Sequence, residues 1–138
     1  MATARKHLLP TQSVWVHCIS RCVRKAFLCG GREGRFDHRR VWVEDRLEQL
    51  AGIFAVEIAA YAVMSNHLHV VARMAPEATA AWSARDVVER WLQVFGRNED
   101  RATAGGRAAA VERLSADTSR VAQMRARLAD LGGSRRRI

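Results

Sequence analysis

Val56-Glu57-Ile58-Ala59-Ala60-Tyr61-Ala62-Val63-Met64, then Ser65-Asn66, then His67-Leu68-His69-Val70-Val71-Ala72-Arg73-Met74: the reading of this stretch decides the fold. The first run is mostly apolar and β-branched at intervals, and it reads as a central strand. Ser65-Asn66 carries the turn signal. A second strand from His67 to Met74 follows at once, so the two make an antiparallel hairpin, closed by Pro76. On a strand, side chains at i and i+2 share a face. His67 and His69 therefore point one way, and Leu68 and Val70 the other. Two imidazoles so placed can offer nitrogens to one metal ion; the plainer alternative is two strand histidines with no common ligand.

Upstream, residues 1–12 form a loose basic lead-in ending near Pro10. From Ser13 to Arg21, valine, tryptophan and isoleucine favour another strand. Trp15, His17, Ile19 and Arg21 share one of its faces; Val14, Val16 and Cys18 share the other. His17 joins the two later histidines if this strand neighbours theirs; otherwise it is a partly buried structural histidine. Arg21, Arg24 and Lys25 lead into Gly30-Gly31-Arg32-Glu33-Gly34-Arg35, a turn-rich stretch. Cations with glycines suit a sugar–phosphate backbone, because glycine lets main-chain N–H groups approach phosphates; an ordinary solvated loop has the same composition. A helix starts near Asp37, a good N-cap. Val41, Leu47, Leu50 and Phe54 follow its period, with Arg39, Arg40, Glu44, Asp45 and Glu48 on the wet face.

Downstream, Ser83 caps a helix from Ala84 to Phe95, with an apolar stripe of Val87, Val88, Trp91, Leu92 and Phe95. Trp91 reads as core rather than as a base-stacking platform. Composition changes after Gly96. Residues 97–110 are polar and rich in glycine and alanine. The spacing of Val111, Leu114, Val121, Met124 and Leu128 then predicts one arginine-rich helix from about Ala108 to Leu131. The chain divides into the lead-in, a core over 13–95, and a linker with a basic helical tail over 96–138. The order strand, helix, strand, strand, helix predicts an α+β fold with an antiparallel sheet. A fourth strand would complete the ferredoxin-like βαββαβ pattern, and no convincing one follows residue 95. The helices are expected on one sheet face, with His67 and His69 on the other, open to a ligand.

The 138 residues suit one domain. Net charge is +9 and the sequence pI about 11.1, a balance that favours a polyanionic partner, most often nucleic acid. The excess is uneven. Residues 1–50 hold 10 basic and 5 acidic side chains, residues 51–100 hold 4 and 6, and residues 101–138 hold 9 and 3. The histidine pair thus lies in a near-neutral middle flanked by basic segments. Cys18, Cys22 and Cys29 are too few and wrongly spaced for a zinc site or a disulfide framework, so buried free thiols are expected. No apolar run approaches the roughly 20 residues of a membrane helix, and the first residues lack the apolar core of a signal peptide. A cytoplasmic protein with no membrane partner is the expectation.

Val16-His17-Cys18-Ile19-Ser20-Arg21-Cys22-Val23-Arg24-Lys25-Ala26-Phe27-Leu28-Cys29-Gly30 resembles the opening of REP-associated tyrosine transposases. So do Asp37-His38-Arg39-Arg40, Trp42-Val43-Glu44-Asp45-Arg46-Leu47, and Tyr61 through Val71 with its Met-Ser-Asn turn before the histidines. The resemblance spans about residues 13–95. These enzymes belong to the HUH class of single-strand DNA nucleases. The resemblance implies a ferredoxin-like sheet on which His67 and His69 hold Mg²⁺ or Mn²⁺. It implies a third ligand and a nucleophilic tyrosine from a later helix, and cleavage of single-stranded or hairpin DNA through a 5′-phosphotyrosine link. The DNA contacts expected with it are His17, Arg21, Arg24, Lys25, Arg32, Arg35, Arg39 and Arg40. Members of the family run longer, so a truncated or frame-shifted copy, dimeric or aggregation-prone at its unpaired strand edge, is expected. Tyr61 is the one tyrosine of this chain. A three-residue turn at 64–66 would pair it with His69 on one face; a two-residue turn would point it to the other. A strand tyrosine is held rigidly by its backbone, so Tyr61 is expected to be structural rather than the nucleophile. Two other readings stand beside the transposase. One is a non-catalytic nucleic-acid-binding module of RRM-like shape, with Trp15 and Tyr61 as its only strand aromatics. The other is a structural or toxin-like protein whose basic tail binds RNA.

Overall fold

The computed structural model describes residues 13–22, 27–30, 38–96 and 103–130. Among these it is an α+β protein with one three-stranded antiparallel sheet and several helices. The elements run β1 (Trp15–Arg21), α1 (His38–Ile53), β2 (Val56–Val63), β3 (His67–Met74), a 3-10 turn (Pro76–Ala81), α2 (Ala84–Phe95), α3 (Ala104–Ser115) and α4 (Thr118–Leu128). The sheet order is β1-β3-β2. The reading of residues 56–64 as a central strand is therefore corrected: β3 is central, bonded antiparallel on both sides, and β2 lies at an edge. The apolar look of β2 came from Ala59, Ala60 and Ala62, which are exposed. Small side chains of this kind register as apolar in a sequence but need no cover.

β3 shows the alternation that its sequence predicts. Leu68, Val70, Ala72 and Met74 are buried, and the residues between them are half-exposed. The buried side meets α1 through Leu47, together with Val63 and Cys29. The buried stripe of α1 begins only there, with Leu47, Leu50 and Ile53. Val41, expected in that stripe, is 55% exposed, and Trp42 beside it is exposed too. Val43, in the same turns, packs on the sheet-side core instead.

α2 begins as its sequence predicts. The Ser83 hydroxyl accepts the Asp86 N–H at 3.1 Å and the Asp86 carboxylate accepts the Ser83 N–H at 2.8 Å, a reciprocal cap. Its destination differs from the expectation that the helices share one sheet face. Val87, Val88 and Leu92 pack with Val111 and Leu114 of α3, with Val121, Met124 and Leu128 of α4, and with Leu50, Ile53 and Phe54 at the end of α1. The segment expected as a single helix over 108–131 is two helices. Asp117 breaks it, because its carboxylate accepts the Arg120 N–H at 2.9 Å and so starts α4 afresh. The helical layer is bonded to the rest. The Ala55 N–H donates to the Leu128 carbonyl at 2.9 Å. Arg90 donates to the Gly52 and Ile53 carbonyls while its guanidinium lies 4.2 Å from the Trp82 ring centroid, and Arg125 donates to the Thr79 carbonyl. Among the described residues no helix is long and apolar enough to cross a membrane.

Candidate functional site

The side of the sheet that α1 leaves uncovered carries the histidines. Direct cross-strand partners share a face, and the register pairs Arg21 with His67, Ile19 with His69, His17 with Val71 and Trp15 with Arg73. Trp15, His17, Ile19 and Arg21 of β1 thus line up beside His67, His69, Val71 and Arg73 of β3, as the strand patterns required. His17 reaches diagonally to His69, with Nε2 and Nδ1 2.9 Å apart and the two rings stacked at 5.1 Å between centroids. The His67 and His69 rings meet edge to face at 4.8 Å. The pairing of β1 with β3 settles the choice left open for His17 in favour of the cluster.

The turn that delivers His67 is tied down. The Met64 N–H donates to the His67 carbonyl at 2.8 Å, leaving Ser65-Asn66 as a two-residue connection. The chain after β1 adds three anchors: the Cys22 N–H donates to the Asn66 carbonyl at 2.9 Å, and the Leu28 and Cys29 N–H groups both donate to the Ser65 carbonyl, at 2.5 and 3.2 Å. Gly30 follows at φ 73°, where a side chain would be strained. Cys29 is buried, with its thiol 3.2 Å from the Met64 carbonyl, while Cys18 and Cys22 are half-buried; all three are free thiols.

Each imidazole has a neighbour that orders its protons. His67 Nδ1 lies 2.6 Å from Asn66 Oδ1. An amide oxygen only accepts, so Nδ1 carries the proton and Nε2 keeps its lone pair. When His69 donates through Nδ1 to His17 Nε2, its own Nε2 is left in the same state. The His69 pKa is lowered from the usual imidazole value by partial burial first, then by the positive charges that His67, His17 and Arg21 bring. Its neutral form therefore persists to lower pH than that of an ordinary histidine. In the window just below about 6.5 the unfolded chain holds the proton that the folded one refuses. Stability accordingly rises with pH through that window, is level above it, and is lost as pH falls through the His69 pKa. An NMR titration of the imidazole Cε1–H signals is expected to give His69 a midpoint below the usual value; a midpoint at or above it would contradict this electrostatic account.

Arg73, three pairs along from His67 on the same face, is spoken for. It bonds both Glu57 oxygens at 2.8 and 2.7 Å, Glu77 at 3.0 Å and Ser13 at 2.8 Å. These contacts lower the Glu57 pKa and raise that of Arg73. Among the described residues, Arg21, exposed and opposite His67, is the cation next to the imidazoles. Arg39 and Arg40 lie on the first turn of α1, the helix on the other side of the sheet, and Arg39 donates to the Phe27 carbonyl at 3.3 Å. They are not brought to the histidine face. Arg24, Lys25, Arg32 and Arg35 lie outside the described residues. Tyr61 pairs with Val70, and Ala62 is the residue opposite His69, so the two-residue turn puts Tyr61 on the far side from the histidines. It is 48% exposed there, near Glu44 and Glu48 of α1.

Among the described residues, no three His, Cys, Asp or Glu side chains are grouped so that they could hold a metal ion. The histidine face brings three imidazoles together, and in the tautomer where His69 donates to His17 the Nε2 atoms of His67 and His69 both keep a lone pair. Sequence reasoning missed Asn66 as the partner of His67; its place immediately before the first histidine, in the turn, was the available signal. Compared with known proteins, the chain matches no family model, no curated relative and no solved structure.

Proposed function

We propose that this chain binds single-stranded or hairpin DNA on the open face of its sheet, as a protein of the HUH transposase type. The observation that carries the reading is the position of His67 and His69. They share the uncovered face of the central strand, beside an exposed arginine, with Nδ1 of each ring occupied by a neighbour. With His69 donating to His17, this arrangement matches metal-binding histidines, whose second nitrogen is fixed by an outer partner. His67 and His69 would hold Mg²⁺ or Mn²⁺, with water and phosphate oxygens filling the remaining positions. Imidazole is the better partner for Mn²⁺ of the two. Bound there, the ion would act as a Lewis acid and template toward a DNA phosphate. The chain's own residues orient and attract: Asn66 and His17 set the rings, and Arg21 supplies charge for the backbone. Tyr61 faces away, so the proposal assigns DNA binding, not strand cleavage, to the residues of this chain.

The topology supports the same reading. β1 and β2 both run antiparallel to β3, which lies between them, and α1 links the two. This is the split β-α-β arrangement that begins a ferredoxin-like fold. A non-catalytic RRM-like module would want two aromatics on the sheet face, and with Tyr61 on the other side only Trp15 serves, which favours the first reading.

The test is binding of a labelled DNA hairpin across a salt series. Contacts from Arg21 and from other cations of this strongly basic chain release counterions, so the logarithm of affinity should fall as the logarithm of salt rises, and Mn²⁺ should strengthen binding. Affinity indifferent to salt would overturn the proposal.

A further inference from the structure

A cavity of about 580 Å³ opens between α2, α3 and α4, away from the histidine face. Its aromatic wall is Trp91 and Phe95, one turn apart on α2 and stacked at 4.2 Å with 25° between ring planes. Its polar wall includes Arg120 and Arg127 of α4, with Gln123 between them, all three exposed at the surface. Seven residues apart on one helix, the two arginines lie on the same side and about 10 Å from each other along the axis. Among the described residues that line the cavity none is acidic. The reading of Trp91 as plain core is thus incomplete, because its ring is only partly buried and helps form an open surface.

We infer that this cavity is a second nucleic-acid site, which takes a nucleotide of single-stranded DNA. The base lies against the Trp91 ring and the flanking phosphates meet Arg120 and Arg127. Flat aromatic surface combined with spaced guanidiniums is how single strands are held without sequence preference, since every base has a π-face and every linkage a charge. An acidic peptide would satisfy the arginines but leave the aromatic wall unused. The inference rests on the DNA-binding reading for its ligand, yet needs neither the histidines nor a cation.

The experiment measures fluorescence polarisation of a short labelled oligothymidylate with the full chain in EDTA, so that metal-dependent binding is silent. Arg120→Gln combined with Arg127→Gln is expected to weaken binding about tenfold and to flatten the salt slope by about 2. Both side chains are exposed, so the fold should persist, as circular dichroism would verify. Gln123→Glu, which puts a negative charge between the two arginines, is expected to weaken binding as well. Weakened oligothymidylate binding by the Arg120→Gln and Arg127→Gln variant in EDTA, while its gain in hairpin affinity on adding Mn²⁺ persists, would support two separate sites. Oligothymidylate binding that persists while wild-type hairpin binding proves indifferent to Mn²⁺ would sink the sheet-face reading and spare this one. Unchanged affinity in the two arginine and glutamine variants would overturn the inference, as would equal binding of an abasic oligomer or of polyglutamate.

Discussion

Replacing both His67 and His69 with alanine is expected to abolish the gain in hairpin-DNA affinity that Mn²⁺ brings, while the unfolding free energy changes by less than about 1 kcal/mol. The two effects separate because of where the side chains sit. Both project from the face of β3 opposite α1 and, among the described residues, belong to neither apolar cluster. Surface substitutions away from packing contacts rarely cost more than about 0.5 kcal/mol. In the proposed site, by contrast, the cation would have these two imidazoles as its protein ligands. His17→Ala is the graded version. It leaves both ligands but removes the ring 2.9 Å from His69 Nδ1 that orients one of them, and loss of such an outer partner typically lowers metal affinity about 10–100-fold. Calorimetric titration with MnCl₂, alongside thermal melts, checks both outcomes. Wild-type Mn²⁺ affinity in the double variant would remove the basis for any cation at this site.

Leu128→Ala is expected to cost about 2–5 kcal/mol, the range for emptying a leucine site that cannot collapse. Leu128 is fully buried. It sits at the end of α4 among residues of α1, α2 and α3, and its carbonyl accepts the Ala55 N–H at the entry to β2. A cavity there loosens the helical layer and the sheet margin together. Urea denaturation followed by tryptophan fluorescence should show a lower midpoint and one transition. Ser119→Ala, on the exposed side of the same helix, serves as the comparison and should move the midpoint little. If the main transition stayed in place for Leu128→Ala, the helices after residue 103 would be an appendage rather than part of the core.

Local patterns carried much of this architecture. The strict alternation of His67 to Met74 marked β3, its faces and its end, and the Ser83 cap with the Val87, Val88 and Leu92 stripe marked α2 to the residue. Errors came where a local pattern needs a partner to be interpreted. Val41 is on period in α1 but is 55% exposed. The alanines of β2 made an edge strand look central. The apolar spacing across 108–131 ran through Asp117 without registering that an aspartate with a free N–H three residues ahead starts a helix. The turn length before His67, which decided the side on which Tyr61 lies, was legible only as two alternatives differing by one residue.

By itself, then, the chain determined the hairpin, the common side of His67 and His69, and the existence of each strand and most helices. All of these follow from the periods of 2 and 3.6 at which side chains repeat along a backbone. Tertiary structure alone decided that β1 lies against β3, bringing His17 onto His69 from 52 residues away, and that α2 turns from the sheet to α3 and α4 and opens a cavity beside Trp91. Such choices are made by which apolar faces bury one another most fully, a property of pairs of segments that no single segment encodes.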